Sequence, residues 1–139
     1  MTEMVKLKVQ LRQFFNLVDL SELKWLLGIA ITWSCPVHPI SLCQGAYIES
    51  IMKHLHLEDA HPVTMPLDPH VILLKDLGPT SNEEKLRMKK IPYLTGTAIG
   101  SIMYAATATH PDVAFAVQHL SQFNSNPGYA HWTAAQHTI

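Results

Sequence analysis

The 49 residues that follow Lys90 contain no Lys and no Arg, and Asp112 is their only acidic residue. A free-standing soluble domain spreads charge over its whole surface. This neutral stretch is nevertheless built as short amphipathic helices. Residues 100–132 read GSIMYAATATHPDVAFAVQHLSQFNSNPGYAHW. Such a segment reads as part of a larger body from which the rest has been cut.

The length of 139 residues suits one domain. The charged share of 15% is low, which argues against a disordered tail. A net charge of −1 gives no global basic field to draw the chain to nucleic acid, although a local lysine patch could still do so. Two cysteines, Cys35 and Cys43, imply a reducing compartment without a disulfide framework. The N-terminus, MTEMVKLKVQLRQ, lacks the continuous apolar run of a signal peptide. No apolar stretch reaches the roughly 18–20 residues that span a bilayer. The expectation is a soluble, intracellular chain, cytoplasmic or nuclear, with no membrane partner.

Residues 2–15 read as a helix, with Leu7, Leu11, Phe14 and Phe15 at helical spacing and Thr2 as its cap. Residues 16–21 form a turn. Residues 23–33 (LKWLLGIAITW) read as one strand with Gly28 in its interior, where a glycine marks a bulge or the close approach of another backbone. Pro36 and Pro39 punctuate a turn, and Ile40–Cys43 returns as a second short strand, making a hairpin. Residues 44–57 carry Tyr47, Ile48, Ile51, Met52 and Leu55 as the apolar stripe of a helix. Residues 61–79 hold four prolines and stay irregular. Ser81 and Glu84 form a capping box that opens a short charged helix to about Lys90.

Three apolar helices follow. The first covers residues 92–108. Pro111 opens the second, which ends near Asn124, and the third starts near Tyr129. A hairpin among helices, then helices alone, predicts an α+β fold. In it an N-terminal helix and β-hairpin precede a mostly helical, thumb-like half, the whole an incomplete domain.

Read in order, several motifs resemble one family. They are Leu26-Leu27-Gly28-Ile29, the helix start Gln44-x-x-Tyr47-Ile48, the loop Pro66-Leu67-Asp68-Pro69, Gly100-Ser101-x-Met103-Tyr104, and Pro111-Asp112-Val113-Ala114. Together they resemble the reverse transcriptase of copia-type LTR retrotransposons, part of a Pol polyprotein, over nearly the whole chain. The resemblance implies that residues 1–57 are the end of the palm with a primer-grip-like hairpin. Residues 58–139 would then be the thumb and the connection to RNase H. The family's catalytic motif is Tyr-x-Asp-Asp, and no Asp-Asp pair occurs here. The carboxylates that would hold two magnesium ions for nucleotidyl transfer are therefore missing, so no catalytic residue and no cofactor are expected in this chain. Magnesium would belong to the intact enzyme.

The chain departs from the family pattern at Ala30 (usually acidic), Ser21 (usually Gly) and His110 (usually Arg). The interval from Tyr93 to Gly100 is two residues longer, through Gly96-Thr97. Two added helical residues would turn the downstream face by about 200°, so the insertion reads as a loop or a looser helix start.

Two sets of residues are candidate contacts. Taken alone, Gly28 reads as a bulge in an ordinary sheet. The resemblance implies that Leu27, Gly28 and Ile29 approach a primer terminus. Lys85, Arg87, Lys89 and Lys90 could touch template–primer phosphates, although Glu83 and Glu84 beside them equally describe a solvated helix face. Cys35, His38 and Cys43 fall short of the four ligands of structural zinc, and the nine histidines show no helical ligand pairing, so no metal site is expected. His131-Trp132 reads as packing or capping. Met103, Tyr104, Phe115, Val117 and Leu120 read as core or interdomain packing. In the intact enzyme the chain would grip an RNA or DNA template–primer and join the missing palm to RNase H. The alternative is a non-enzymatic protein-binding module derived from a transposon remnant.

Overall fold

A polar, proline-free start lets the chain coil at once. Residues Thr2–Arg12 form helix α1, one turn shorter than the sequence suggests. In the computed structural model, residues 2–34, 39–93 and 98–139 are described. The expected cap at Thr2 concerns a side chain outside that description. The apolar positions of α1 meet no cover: Met4, Val5, Leu7, Val9 and Leu11 are all exposed, and Phe14 just beyond is 79% exposed. Two surface ion pairs accompany it, Lys6 with Glu3 at 3.0 Å and Lys8 with Asp19 at 2.9 Å. The Lys8 hydrogen bond, helped by the Ser21 N–H, holds the Asp19 carboxyl below its usual range.

The single strand expected at residues 23–33 is instead two. Strand β1 (Trp25–Leu26) turns at Leu27-Gly28 into β2 (Ile29–Trp33), which pairs with β3 (Ile40–Cys43). The sheet is antiparallel throughout, in the order β1-β2-β3, with Leu26 opposite Ile29 and Ala30 opposite Cys43. Gly28 is thus a turn residue and not a strand-interior bulge. Leu27 and Gly28 both have positive φ, 52° and 79°, the backbone of a type I′ turn whose twist matches its flanking strands. The β2–β3 hairpin appears as expected, with the Ser34 N–H donating to Pro39 O at 3.1 Å. Its tip, including the candidate zinc ligands Cys35 and His38, lies outside the described residues. Cys43 is exposed.

Helix α2 (Gly45–His54) follows directly. It is shorter than the expected 44–57 because His56 turns left-handed at φ 55°. Residues 57–79 are irregular apart from a single 3-10 turn, Lys75–Leu77. Helix α3 (Asn82–Met88) carries the capping box intact: the Glu84 N–H donates to Ser81 Oγ at 3.2 Å, and the Glu84 carboxylate accepts from the N–H groups of Ser81 and Thr80. Helix α4 is Ala98–Ala108. Its expected start at Pro92 is not seen, since residues 91–93 form a bend and turn and Tyr93 turns inward. The two-residue insertion at Gly96-Thr97 falls outside the described residues. A 3-10 turn at Pro111–Val113, opened by Pro111 as expected, leads into α5 (Ala114–Ser121), and α6 spans Tyr129–Thr138.

The core is built almost wholly by the neutral stretch. Ile99 and Ile102 of α4, Val117 and Leu120 of α5, and Trp132 and Ala135 of α6 close on Ile51 and Leu55 of α2. Tyr93 is buried among them and donates its hydroxyl to Leu120 O at 2.8 Å. Burial pushes that phenol up to about 12. The neutral segment therefore finds its cover within this chain, on itself and on α2. The large uncovered apolar surface lies at the other end of the chain, from α1 to β3. Phe115, expected in the core or in packing between domains, is not in the core: it is 74% exposed, with the His119 ring stacked parallel to it at 6.2 Å. Among the described residues, no helix is long and apolar enough to cross a membrane. The fold is α+β, as expected.

Candidate nucleic-acid interface

Leu27, Gly28 and Ile29 occupy the β1–β2 turn. Leu27 sits in the left-handed region, which costs a non-glycine residue about 1 kcal/mol or more. Its side chain is nonetheless 77% exposed. Contacts from the helical half hold the backbone there. The Tyr104 hydroxyl of α4 donates to Leu27 O at 2.6 Å. The Tyr47 ring of α2 packs edge-on against Tyr104 with centroids 5.1 Å apart, and donates its own hydroxyl to Ser101 O at 3.5 Å. A Cβ added at Gly28 would lie 3.9 Å from Tyr47, an ordinary contact, so this glycine is required by its φ and not by crowding. The sequence reading places Tyr47 on a helix stripe and Tyr104 in the core. Both belong to the family-like motifs, but nothing in the spacing links them to the turn, which lies 77 residues from Tyr104.

The second candidate set spans the end of α3 and the two residues after it. Lys85, Arg87, Lys89 and Lys90 are all exposed. Their acidic neighbours are already engaged: Glu84 turns back into the cap, whose N–H groups hold its carboxyl below the usual range, and Glu83 pairs with Arg87 at 3.6 Å. Among the described residues no ion pair reaches Lys85, Lys89 or Lys90. Lys85 and Lys89, four apart, share a helix face. An open cleft of about 610 Å³ separates Arg87 and Met88 from Leu77, Gly78 and Tyr129. The β1–β2 turn is anchored to α4, braced by α2, whereas the end of α3 faces the start of α6 across that cleft. The two candidate sets thus sit on different parts of the body.

A larger open groove of about 760 Å³ runs between α2, α4, α6 and the loop near Val63, with apolar walls that include Ile48, Met52 and Val113. His61, His110, Asp112 and His137 line it, but among the described residues no group of three or more His, Cys, Asp or Glu side chains comes close enough to hold a metal ion. Gln44, 1% exposed, accepts from the Thr109 hydroxyl at 2.7 Å, and among the described residues its amide nitrogen has no partner. His131 closes the N-terminus of α6. Its Nδ1 accepts from the Gly128 N–H at 2.8 Å, so it both caps and packs, as read from the sequence.

An α+β body with an exposed β1–β2 turn and an exposed run of basic residues at the end of α3 is the class that these features define. Its relatives are retrovirus-related Pol polyproteins from plant transposons. The chain is similar to the Retrovirus-related Pol polyprotein from transposon TNT 1-94 of Nicotiana tabacum, 40% identical over 131 residues, which cover 94% of this chain and 10% of that protein. It is similar also to the Retrovirus-related Pol polyprotein from transposon RE1 of Arabidopsis thaliana, 31% identical over 129 residues, 93% of this chain and 8% of that one. A stretch of 52 residues is 48% identical to Secreted RxLR effector protein 161 of Plasmopara viticola, covering 37% of this chain and 35% of the effector. The chain thus spans no more than about a tenth of the length of the two polyproteins. No protein-family model and no solved structure matches it.

Proposed function

We propose that this chain corresponds to the end of the palm and most of the thumb of a copia-type reverse transcriptase. In that reading it positions template and primer, and the polymerase carboxylates and RNase H belong to other parts of the polyprotein. The ordered motifs carry the reading, and similarity to a transposon Pol polyprotein of tobacco across 94% of the chain supports the retrotransposon origin it requires. Residues 1–57 supply the hairpin that faces the primer, and residues 58–139 the helical part that runs toward RNase H. Magnesium would be held outside this chain, because the sequence has no Asp-Asp pair.

The experiment is direct. On a primed RNA template the purified chain should incorporate no nucleotide, and incorporation would refute the assignment. It should bind an RNA–DNA primer–template with a negative dependence on salt. Replacing Lys85, Lys89 and Lys90 by Ala should lower the log–log slope by about 1 per lysine that touches a phosphate. An unchanged slope removes these residues from the interface.

A second reading rests on the effector match and the uncovered apolar surface from α1 to β3. In it the segment is a protein-binding module derived from a transposon. A soluble oligomer of defined size in sedimentation, with no affinity for nucleic acid, would favour that reading over the first.

A further inference from the structure

Helix α1 has 11 residues. Isolated helices shorter than about 12–15 residues are marginal in water, and most gain their stability from an apolar face packed on a neighbour. Among the described residues, the apolar side chains of α1 have no such cover. The total surface agrees. A folded monomer of 15.6 kDa leaves about 7,300 Å² accessible, whereas this chain leaves 10496 Å². The excess, about 3,200 Å², is more than the 1,000–2,500 Å² that each protomer of an obligate homodimer covers.

The uncovered side chains of α1 are ordered. Met4, Leu7, Leu11 and Phe14 follow at spacings of three, four and three, the a-d-a-d seam of a coiled coil. A last turn keeps Phe14 on that line, since the Phe14 and Phe15 N–H groups donate to Leu11 O at 3.1 and 2.9 Å. All four seam residues are exposed.

Charges of opposite sign flank the seam. With Met4 at a, Glu3 takes position g and Lys8 position e. In two parallel helices each g faces the following e of the other helix, so Glu3 of each copy meets Lys8 of the other. An antiparallel pair sets g against g and e against e, which takes Lys8 away from Glu3. Within the chain Glu3 holds Lys6 at 3.0 Å and Lys8 holds Asp19 at 2.9 Å. Both are surface pairs that contribute little in water, so exchanging them for pairs across a seam costs little.

We propose that α1 is a self-association element. Two copies of this chain pair their α1 helices in parallel about a twofold axis, with Met4, Leu7, Leu11 and Phe14 as the seam and Glu3 facing the second copy's Lys8. The inference rests on the second reading only in taking the uncovered surface as an interface, and it stands apart from template–primer binding.

The test uses the whole chain, followed by sedimentation equilibrium over a hundredfold range of concentration, with hydrogen exchange read along α1, α4 and α5. The wild type should pass from monomer to dimer and no further. Leu7→Gln should weaken the dimer about thirtyfold and leave exchange in α4 and α5 unchanged, because Leu7 is no part of the core. Glu3→Lys and Lys8→Glu should each weaken it about tenfold. An equimolar mixture of these two variants should restore association, since a lysine of one chain then faces a glutamate of the other on both flanks.

A dimer untouched by Leu7→Gln overturns the seam and leaves the module reading with another interface. A mixture as weak as its parts overturns the parallel pairing, and open-ended assembly overturns the twofold. A wild type that stays monomeric overturns the proposal outright. Slow exchange along α1 would then mean that the helix packs on its own body, and fast exchange would leave the face to another segment of the polyprotein.

Discussion

One buried ring ties three segments together. His131 is 0% exposed. Nδ1 accepts the Gly128 N–H, Nε2 lies 3.1 Å from Leu74 O, and the ring stacks on Phe123 with centroids 4.2 Å apart. Because Nδ1 faces an N–H, the proton of the neutral ring belongs on Nε2, where it is donated to Leu74 O. Protonation would set a second N–H against that of Gly128. Burial holds the imidazole below its ordinary value of 6.5, and the Leu74 carbonyl opposes this only in part. The folded pKa is thus lower than the unfolded one, and on acidification the unfolded chain binds its proton first. The stability that His131 contributes is complete above pH 6.5 and is lost as pH falls through the lower folded value, at a slope of up to about 1.4 kcal/mol per pH unit. The thermal midpoint should therefore drop between pH 7.5 and 5. His131→Gln should be less stable at pH 7.5 but show a shallower slope than the wild type. The substitution leaves every other residue in place, so the difference between the two slopes isolates this ring, and parallel slopes would refute the account.

Between elements, two loops meet so closely that only glycine fits. Residues 126–128 lie against 77–79, and the Asn126 amide donates to Pro79 O at 3.5 Å. A Cβ on Gly128 would overlap the Leu77 carbonyl oxygen, although the φ of Gly128, −97°, suits any residue. Gly128→Ala should cost about 1–3 kcal/mol by overpacking alone. Gly100, on α4, is the control: a Cβ there meets nothing within 4 Å, so Gly100→Ala should gain about 0.5–1 kcal/mol through backbone entropy. Chemical denaturation of the two variants should give opposite signs. These positions also mark what the sequence can and cannot carry. The Ser81–Glu84 box is legible because its partners are three residues apart and the chemistry is local. The Leu27-Gly28 turn is hidden in a run of branched residues, since no Asn or Asp announces it and its stabilising tyrosines lie on two distant helices. Gly128 is legible as a loop glycine, but the carbonyl that excludes a side chain there comes from 51 residues earlier in the chain. The start of α4 at Ala98 is likewise missed, because Pro92 suits a first helical turn while Tyr93 is drawn into the core.

At the scale of the whole molecule, charge and cover are distributed in opposite senses. The sequence suggests that the neutral C-terminal stretch needs another body, yet α4, α5 and α6 bury their apolar faces on one another and on α2. Residues 3–42 carry charge and still leave Phe14, Val18, Leu20, Trp25 and Leu27 more than half exposed. Local charge composition reports how a segment could be solvated, while cover depends on which neighbours the topology supplies, and among the described residues the apolar side chains of α1 stay exposed. Its ties are surface ion pairs, which contribute little in water. Removing residues 1–20 should therefore change global stability by less than about 0.5 kcal/mol. The cut spares Leu23, whose carbonyl accepts from Trp33 Nε1 at 3.0 Å, and so leaves the sheet intact. Uncovered apolar patches of this kind drive association, so the shortened chain should also sediment with a weaker concentration dependence than the full one. A clear fall in the unfolding midpoint would mean that α1 packs on the body in solution. Unchanged association would move the sticky surface to the hairpin, where Trp25, Leu26 and Leu27 remain exposed.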